Sequence, residues 1–234
     1  GQIVKVFDGS YHSEVKSPEN DILKRPDHDR RWVKVRRPTV VVGGELTMDS
    51  LEIRHDPRSN VSESPLQIKS NCGCLLIDDF GRQRVAPAEL LNRWIVPLES
   101  HHDFLTLSTG KKIQVPFEQL ILFSTNLEPA DLVDEAFLRR IPYKIEITDP
   151  DLDEFHFLFE LHAASMGIEC RRDDVEHLIA KHYRPQGRAM RRCHPRDLLQ
   201  QIRNFCVYND LPIEVRPEHF DRVVGSYFAT VLKS

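Results

Sequence analysis

Two short apolar runs, each ending abruptly in polar side chains, constrain this chain most. Cys74-Leu75-Leu76-Ile77 leads straight into Asp78-Asp79-Phe80, and Leu120-Ile121-Leu122-Phe123 into Ser124-Thr125-Asn126. A brief apolar run without alternation suits a strand buried on both faces. In open α/β sheets, ligands bind outside the carboxyl ends of such strands. Asp78, Asp79 and Asn126 are therefore candidate site residues. Taken singly, each string also describes a strand closed by a solvated acidic turn or a Ser-Thr-Asn cap.

The surrounding pattern is α/β, then helical. Thr39-Val40-Val41-Val42 is a β-branched run closed by Gly43-Gly44 and reads as a buried strand. Apart from that run, residues 1–70 are polar and broken by Pro, Gly and Asp, with a turn at Pro57-Arg58-Ser59-Asn60. Residues 86–98 read as a helix, with Pro87 in its first turn and Leu90, Leu91, Trp94, Ile95 and Leu98 at helical spacing. Residues 104–107 and 113–115 flank Thr109-Gly110 and read as a hairpin. Tyr143-Lys144-Ile145-Glu146-Ile147 alternates and predicts a further strand. Beyond it come four helical patterns: 151–166, 173–183, one from His194-Pro195 and one from Pro217. A hinge is expected at Thr148-Asp149-Pro150.

Composition narrows the class. Of 234 residues, 40% are hydrophobic and 29% charged, which is ordinary for a globular protein. A net charge of -4 gives no global attraction to nucleic acid or acidic lipid. No run approaches the roughly 18 apolar residues of a membrane span, so no membrane partner is expected. Five scattered cysteines without an export signal point to free thiols and a cytoplasmic location. The chain lacks an initiator Met, so it is expected to begin within a longer protein.

Arginines supply the remaining candidates. Arg139-Arg140 follows the short amphipathic segment Asp134-Glu135-Ala136-Phe137-Leu138. The planar guanidinium binds oxyanions in a fork and suits phosphate charge on a neighbouring subunit. Arg196 follows Pro195 in the first turn of a helix, where a cation opposes the helix dipole unless an anion is near. Surface arginines would look the same in isolation.

Together the order is acidic strand, helix, hairpin, Asn-ended strand, Arg pair, strand, helical bundle. From about residue 40 to 234, that order resembles the AAA+ ATPase module. Leu75 to Phe80 resembles its Walker B strand, Asn126 its sensor 1, Arg139 and Arg140 its arginine-finger region, and Arg196 its sensor 2. The resemblance implies an incomplete AAA+ three-layer α/β/α sheet domain followed by a small all-helical lid. Residues 1–38 would be a variable segment, 39–148 the core and 149–234 the lid. ATP and Mg²⁺ are the implied cofactors. Asp78 would hold Mg²⁺ through water, Asp79 polarise the attacking water, and Asn126 position it. Arg139 and Arg140 would reach into the next subunit's site, and Arg196 would bind nucleotide and report its state. A homo-oligomeric ring and a protein client are implied.

Two departures stand out. Asp79 occupies a place usually held by Glu, one methylene nearer the backbone, and a general base must come within about 3 Å of its proton. The phosphate loop G-x-x-x-x-G-K-[ST] does not occur; the only Gly-Lys step, Gly110-Lys111, sits in the hairpin. In the family that loop follows a central strand between the sensor 1 strand and the last strand. Its absence would leave two inner edges unpaired. The chain is therefore expected to be an ATPase fragment, inactive alone; the alternative is a non-enzymatic AAA+-like scaffold or partner-binding module.

Other constellations point less far. Cys72-Gly73-Cys74 has one intervening residue, where zinc pairs usually have two to four. His101-His102 lies in a polar turn, and His194 reads as a helix-entry residue. Arg184, Arg188, Arg191, Arg192 and Arg196 form a basic cluster with little aromatic interleaving, so nucleic acid is possible and not favoured.

Overall fold

A computed structural model describes residues 3–15, 29, 31–128, 132 and 138–229. The chain forms two compact units, Gly1–Lys144 and Ile145–Ser234.

The first unit is built on three parallel strands in the order β2 (Thr39–Val42), β5 (Cys74–Ile77) and β8 (Leu120–Phe123). Register is regular: Val42 stands level with Ile77, and Ile77 with Phe123. All three strands therefore deliver their carboxyl ends to one edge. Val40, Val42, Leu75 and Ile77 form the floor of the core. Helix α2 (Pro87–Ser100) packs on it through Leu90, Leu91 and Trp94, then stops at His101 in a left-handed conformation (φ 55°). Burying each such side chain contributes about 1.5–3 kcal/mol. The hairpin is present as β6 (His102–Thr106) and β7 (Lys112–Pro116).

A second, three-stranded sheet was not evident in the polar first 70 residues. Its members, β1 (Ile3–Lys5), β3 (Arg54–Asp56) and β4 (Val61–Glu63), are only three residues each. The short helix α1 (Leu66–Lys69) follows. Lys69, almost fully buried, pairs with Asp8 at 2.8 Å and fixes the N-terminal segment beside it. Deeper in, Asp103 is buried and accepts two bonds from Arg93, at 2.7 and 3.1 Å, and one from Gln67 at 3.1 Å.

The strand expected at 143–147 does not form. Residues 141–150 have no strand pairing, and Tyr143, Ile145 and Ile147 are 84%, 82% and 75% exposed. Alternation supplies a side-chain pattern, but a strand also needs a hydrogen-bonded neighbour. Among the described residues the sheet ends at β8, where Leu120 and Leu122 are also exposed. The lead-in segment 134–137 lies outside the described residues.

The second unit is helical. Helix α3 (Leu152–Met166) starts where the Asp151 carboxylate accepts the Glu154 N–H at 2.8 Å, and ends at Gly167 with φ 67°. Helix α4 (Arg172–Leu178) continues into a π-helical segment, Ile179–Tyr183, and a short 3-10 turn, Arg184–Gln186. Helices α5 (His194–Tyr208) and α6 (Pro217–Tyr227) both carry Pro in the first turn, where its missing N–H is not needed. Phe155, Phe159, Leu178, Leu198, Ile202 and Phe220 fill the core. Phe159 meets Phe220 edge-on at 5.7 Å between centroids.

Candidate active site

The carboxyl edge of the parallel sheet gathers three of the sequence candidates. The Asp78 N–H donates to the Val42 carbonyl at 2.8 Å, extending the β2–β5 ladder by one step. Asp79 then turns left-handed, with φ 52°. This conformation is uncommon outside Gly, Asn and Asp, and it ends the strand. Both carboxylates are exposed, as is Asn126, two residues beyond the point where Ser124 bonds Ile77.

The two strand tips are clasped together. The Phe80 N–H donates to the Ser124 carbonyl at 2.7 Å. The Thr125 hydroxyl donates to the Phe80 carbonyl at 2.8 Å and accepts the Leu127 N–H at 3.1 Å. Beneath them Phe80 packs on Phe123, with ring centroids 4.8 Å apart. Gln83 closes the acidic turn from outside: its amide donates to the Asp78 carbonyl at 2.7 Å and accepts the Gly81 N–H at 2.8 Å. Gly81 has φ 101°, and a Cβ there would lie 2.5 Å from the end of Leu132.

Sequence reasoning missed Gln83, and it took Thr125 only as part of a strand end. Local polarity was the only available signal, because both act through bonds to main-chain atoms.

The arginines are placed differently. Arg140 bonds Glu99 near the end of α2 at 2.7 Å, and Arg139 is exposed. Arg196 lies in the helical unit, exposed, and its guanidinium bonds Asp197 at 2.9 Å. That carboxylate answers the mismatch between a cation and the helix start. The basic cluster around it is largely paired: Arg191 with Asp149 at 3.2 Å, Arg192 with Glu154 at 2.8 Å, and Arg184 with Glu176 at 3.8 Å. Arg188 stacks over Phe228 at 3.5 Å. His194 is buried, its Nδ1 taking the Arg191 N–H at 3.3 Å and lying 2.9 Å from the Tyr183 hydroxyl. Burial, with Arg188 and Arg191 nearby, pushes its pKa down. It is a packed helix-entry residue.

Comparison with solved structures gives two matches to NtrX from Brucella abortus. One, in complex with ADP, is 15% identical, with a TM-score of 0.53, covering 84% of this chain and 46% of that one. The other is 14% identical, with a TM-score of 0.56 and the same coverage. The fold is the AAA+ fold. At such identity the likeness concerns the fold, and this chain spans less than half the length of the NtrX chains. Residues 151–226 match a family model described as a domain of unknown function, DUF8689. Curated proteins give no match.

The residues present fit the two cofactors expected from the sequence resemblance, nucleotide and Mg²⁺, unequally. Asp78 and Asp79 offer exposed hard-oxygen donors at one strand tip, which suits an ion that takes one or two carboxylates and keeps several waters. Phosphates need a nest of backbone N–H groups and a lysine. Gly110 and Lys111, the only Gly-Lys step, stand exposed in the β6–β7 turn.

Proposed function

We propose that this chain is the core-and-lid part of an AAA+ ATPase module, which hydrolyses Mg-ATP once a phosphate-binding loop is supplied and is inactive without it. One observation carries the proposal. Two carboxylates and an asparagine stand at the same edge of a parallel sheet, on adjacent strand tips clasped by Thr125 and Phe80.

In this reading Asp78 holds a hydrated Mg²⁺. Asp79 accepts a proton from water, and Asn126 orients that water. The shorter Asp side chain relies on the left-handed turn at Asp79, with Gln83 bracing it, to set the carboxylate's position. Arg139 and Arg140 act on the site of the next subunit in a homo-oligomeric ring, which requires Arg140 to release Glu99. Arg196 exchanges Asp197 for nucleotide phosphate. ATP supplies the driving force for remodelling a macromolecular client. Five free thiols suit a reducing, cytoplasmic setting. The paired state of the 184–196 arginines supports a solvated or intersubunit surface over a nucleic-acid groove.

The missing phosphate loop favours a second reading, a nucleotide-blind scaffold. Hydrolysis assays on the chain extended upstream in its gene separate the two. Asp79→Asn and Asn126→Ala should each lower turnover by roughly a hundredfold or more, the scale of lost general-base catalysis, while leaving nucleotide binding in place. Turnover unaffected by both substitutions overturns the assigned roles.

A further inference from the structure

A cavity of about 210 Å³ opens between the end of β2 and the small sheet of β1, β4 and β3. Val42, Glu45 and Leu46 line it on one side, and Arg54, Glu63 and Ser64 on the other. Its volume is below the roughly 300–1,000 Å³ of pockets for drug-sized ligands, so it suits a smaller molecule. Most charges around it are already paired. Lys69 holds Asp8 at 2.8 Å and Glu63 at 3.4 Å, and Glu52 holds Arg93 at 3.1 Å. Two lining residues of opposite sign remain. The exposed Glu45 carboxylate accepts the Gly43 N–H at 3.1 Å and forms no ion pair among the described residues. Arg54 is exposed and likewise forms none among them. Ser64 is only 5% exposed, and its hydroxyl has no hydrogen-bond partner among the described residues. A buried hydroxyl without a partner is costly, and a polar group bound in the cavity relieves that cost.

We propose that this cavity binds a small zwitterion of the α-amino-acid class, with Arg54 and the Ser64 hydroxyl taking its carboxylate and Glu45 its ammonium group. Charge selects the class. A plain amine leaves Arg54 unanswered, and a plain carboxylic acid leaves Glu45 unanswered. The guanidinium fork matches a carboxylate through two parallel bonds, and the Ser64 hydroxyl donates to a remaining lone pair. Bonds from the N–H groups of Glu45 itself and of Gly43 hold the Glu45 pKa below its ordinary value, so this side chain is ionised at neutral pH. The exposed Glu45 and Arg54 reach the ligand from the solvent side, and Ser64 meets it from the buried side. Val42, Leu46 and Leu66 also line the cavity. They offer apolar surface to a short aliphatic side chain and so favour an amino acid of about the size of valine.

The test is titration of the intact chain with millimolar L-valine, followed by calorimetry and by ligand-observed NMR. Isobutylamine, which lacks the carboxylate, and 3-methylbutanoate, which lacks the ammonium group, serve as the paired controls. The expected result is one site for L-valine and at least tenfold weaker binding of either control. Arg54→Gln and Glu45→Gln should each weaken L-valine by about tenfold or more, the scale of a lost hydrogen bond to a charged group. Both side chains are exposed, so the variants keep the fold. Ser64→Ala should weaken binding severalfold without lowering the unfolding midpoint of the free chain, because the hydroxyl it removes has no partner to lose. Absence of L-valine binding, equal binding of either control, or an affinity unchanged in the three variants overturns the proposal.

Discussion

The Thr125 hydroxyl holds the Phe80 carbonyl at 2.8 Å and thereby joins the end of β8 to the turn that carries Asp79. Thr125→Val keeps the shape and removes the bond. A net hydrogen bond of this kind is worth about 1 kcal/mol. Urea unfolding of the first unit should show a loss of that order, and Thr125→Ser should restore most of it. An unchanged midpoint in Thr125→Val would mean the clasp does not constrain the acidic turn.

Arg93 and Asp103 form the most deeply placed ion pair among the described residues of the sheet unit, with side chains 19% and 3% exposed. Glu52 also holds Arg93, at 3.1 Å. Arg93→Ala strands a buried carboxylate and should cost about 3–5 kcal/mol. Arg93→Met combined with Asp103→Leu should recover much of the loss, because removing both charges removes the desolvation cost. Chemical denaturation of the single and double variants checks this; a double variant as unstable as Arg93→Ala would contradict it.

Acid should loosen both units. The hydrogen bond from Lys69, then the Ser10 N–H, holds the Asp8 carboxyl down to about 2, and Asp221 is also held at about 2. A lowered carboxylate pKa means the folded state favours the ionised form. Its stabilisation is therefore full above the ordinary value of 3.8 and disappears as pH falls through about 2. Each group contributes up to about 2 kcal/mol, less for solvent screening. Unfolding midpoints at pH 5 and pH 2.5 should converge in Asp8→Asn for the first unit and in Asp221→Asn for the second. Persistent acid sensitivity in both variants would place its origin elsewhere.

The outer edge of β8 gives a site-specific readout. Leu120 and Ser124 donate their N–H groups toward β5, to Gly73 and Ile77, so by strand alternation Ile121 and Phe123 point theirs to the open side. Their amides should exchange rapidly in this chain and become protected when the chain is extended upstream. Protection already present in the chain alone would contradict the open edge.

Much of this architecture is legible in the sequence. Leu75–Ile77 and Leu120–Phe123 announce strands, and the Pro-led helices α2, α5 and α6 carry clear periodicity; the burial expected of Leu120–Phe123 is not found, because β8 is the last described strand and leaves Leu120 and Leu122 exposed. The candidates Asp78, Asp79 and Asn126 are legible as strand-tip residues, which is where the fold places them. Three things were not. Strands of three residues, such as β1 and β4, are too short to show a period. Gln83 and Thr125 act on main-chain atoms that only the fold brings within reach. Tyr143–Ile147 shows the opposite error: its alternation is that of a strand, but no neighbour among the described residues pairs with it.

Titration calorimetry of Mg-ATP, on this chain alone and on the chain extended upstream in its gene, tests the central claim most directly. The account predicts no binding by the chain alone and binding by the extended form, weakened by Asp78→Ala. Binding by neither form would contradict the ATPase reading and leave the scaffold reading in its place.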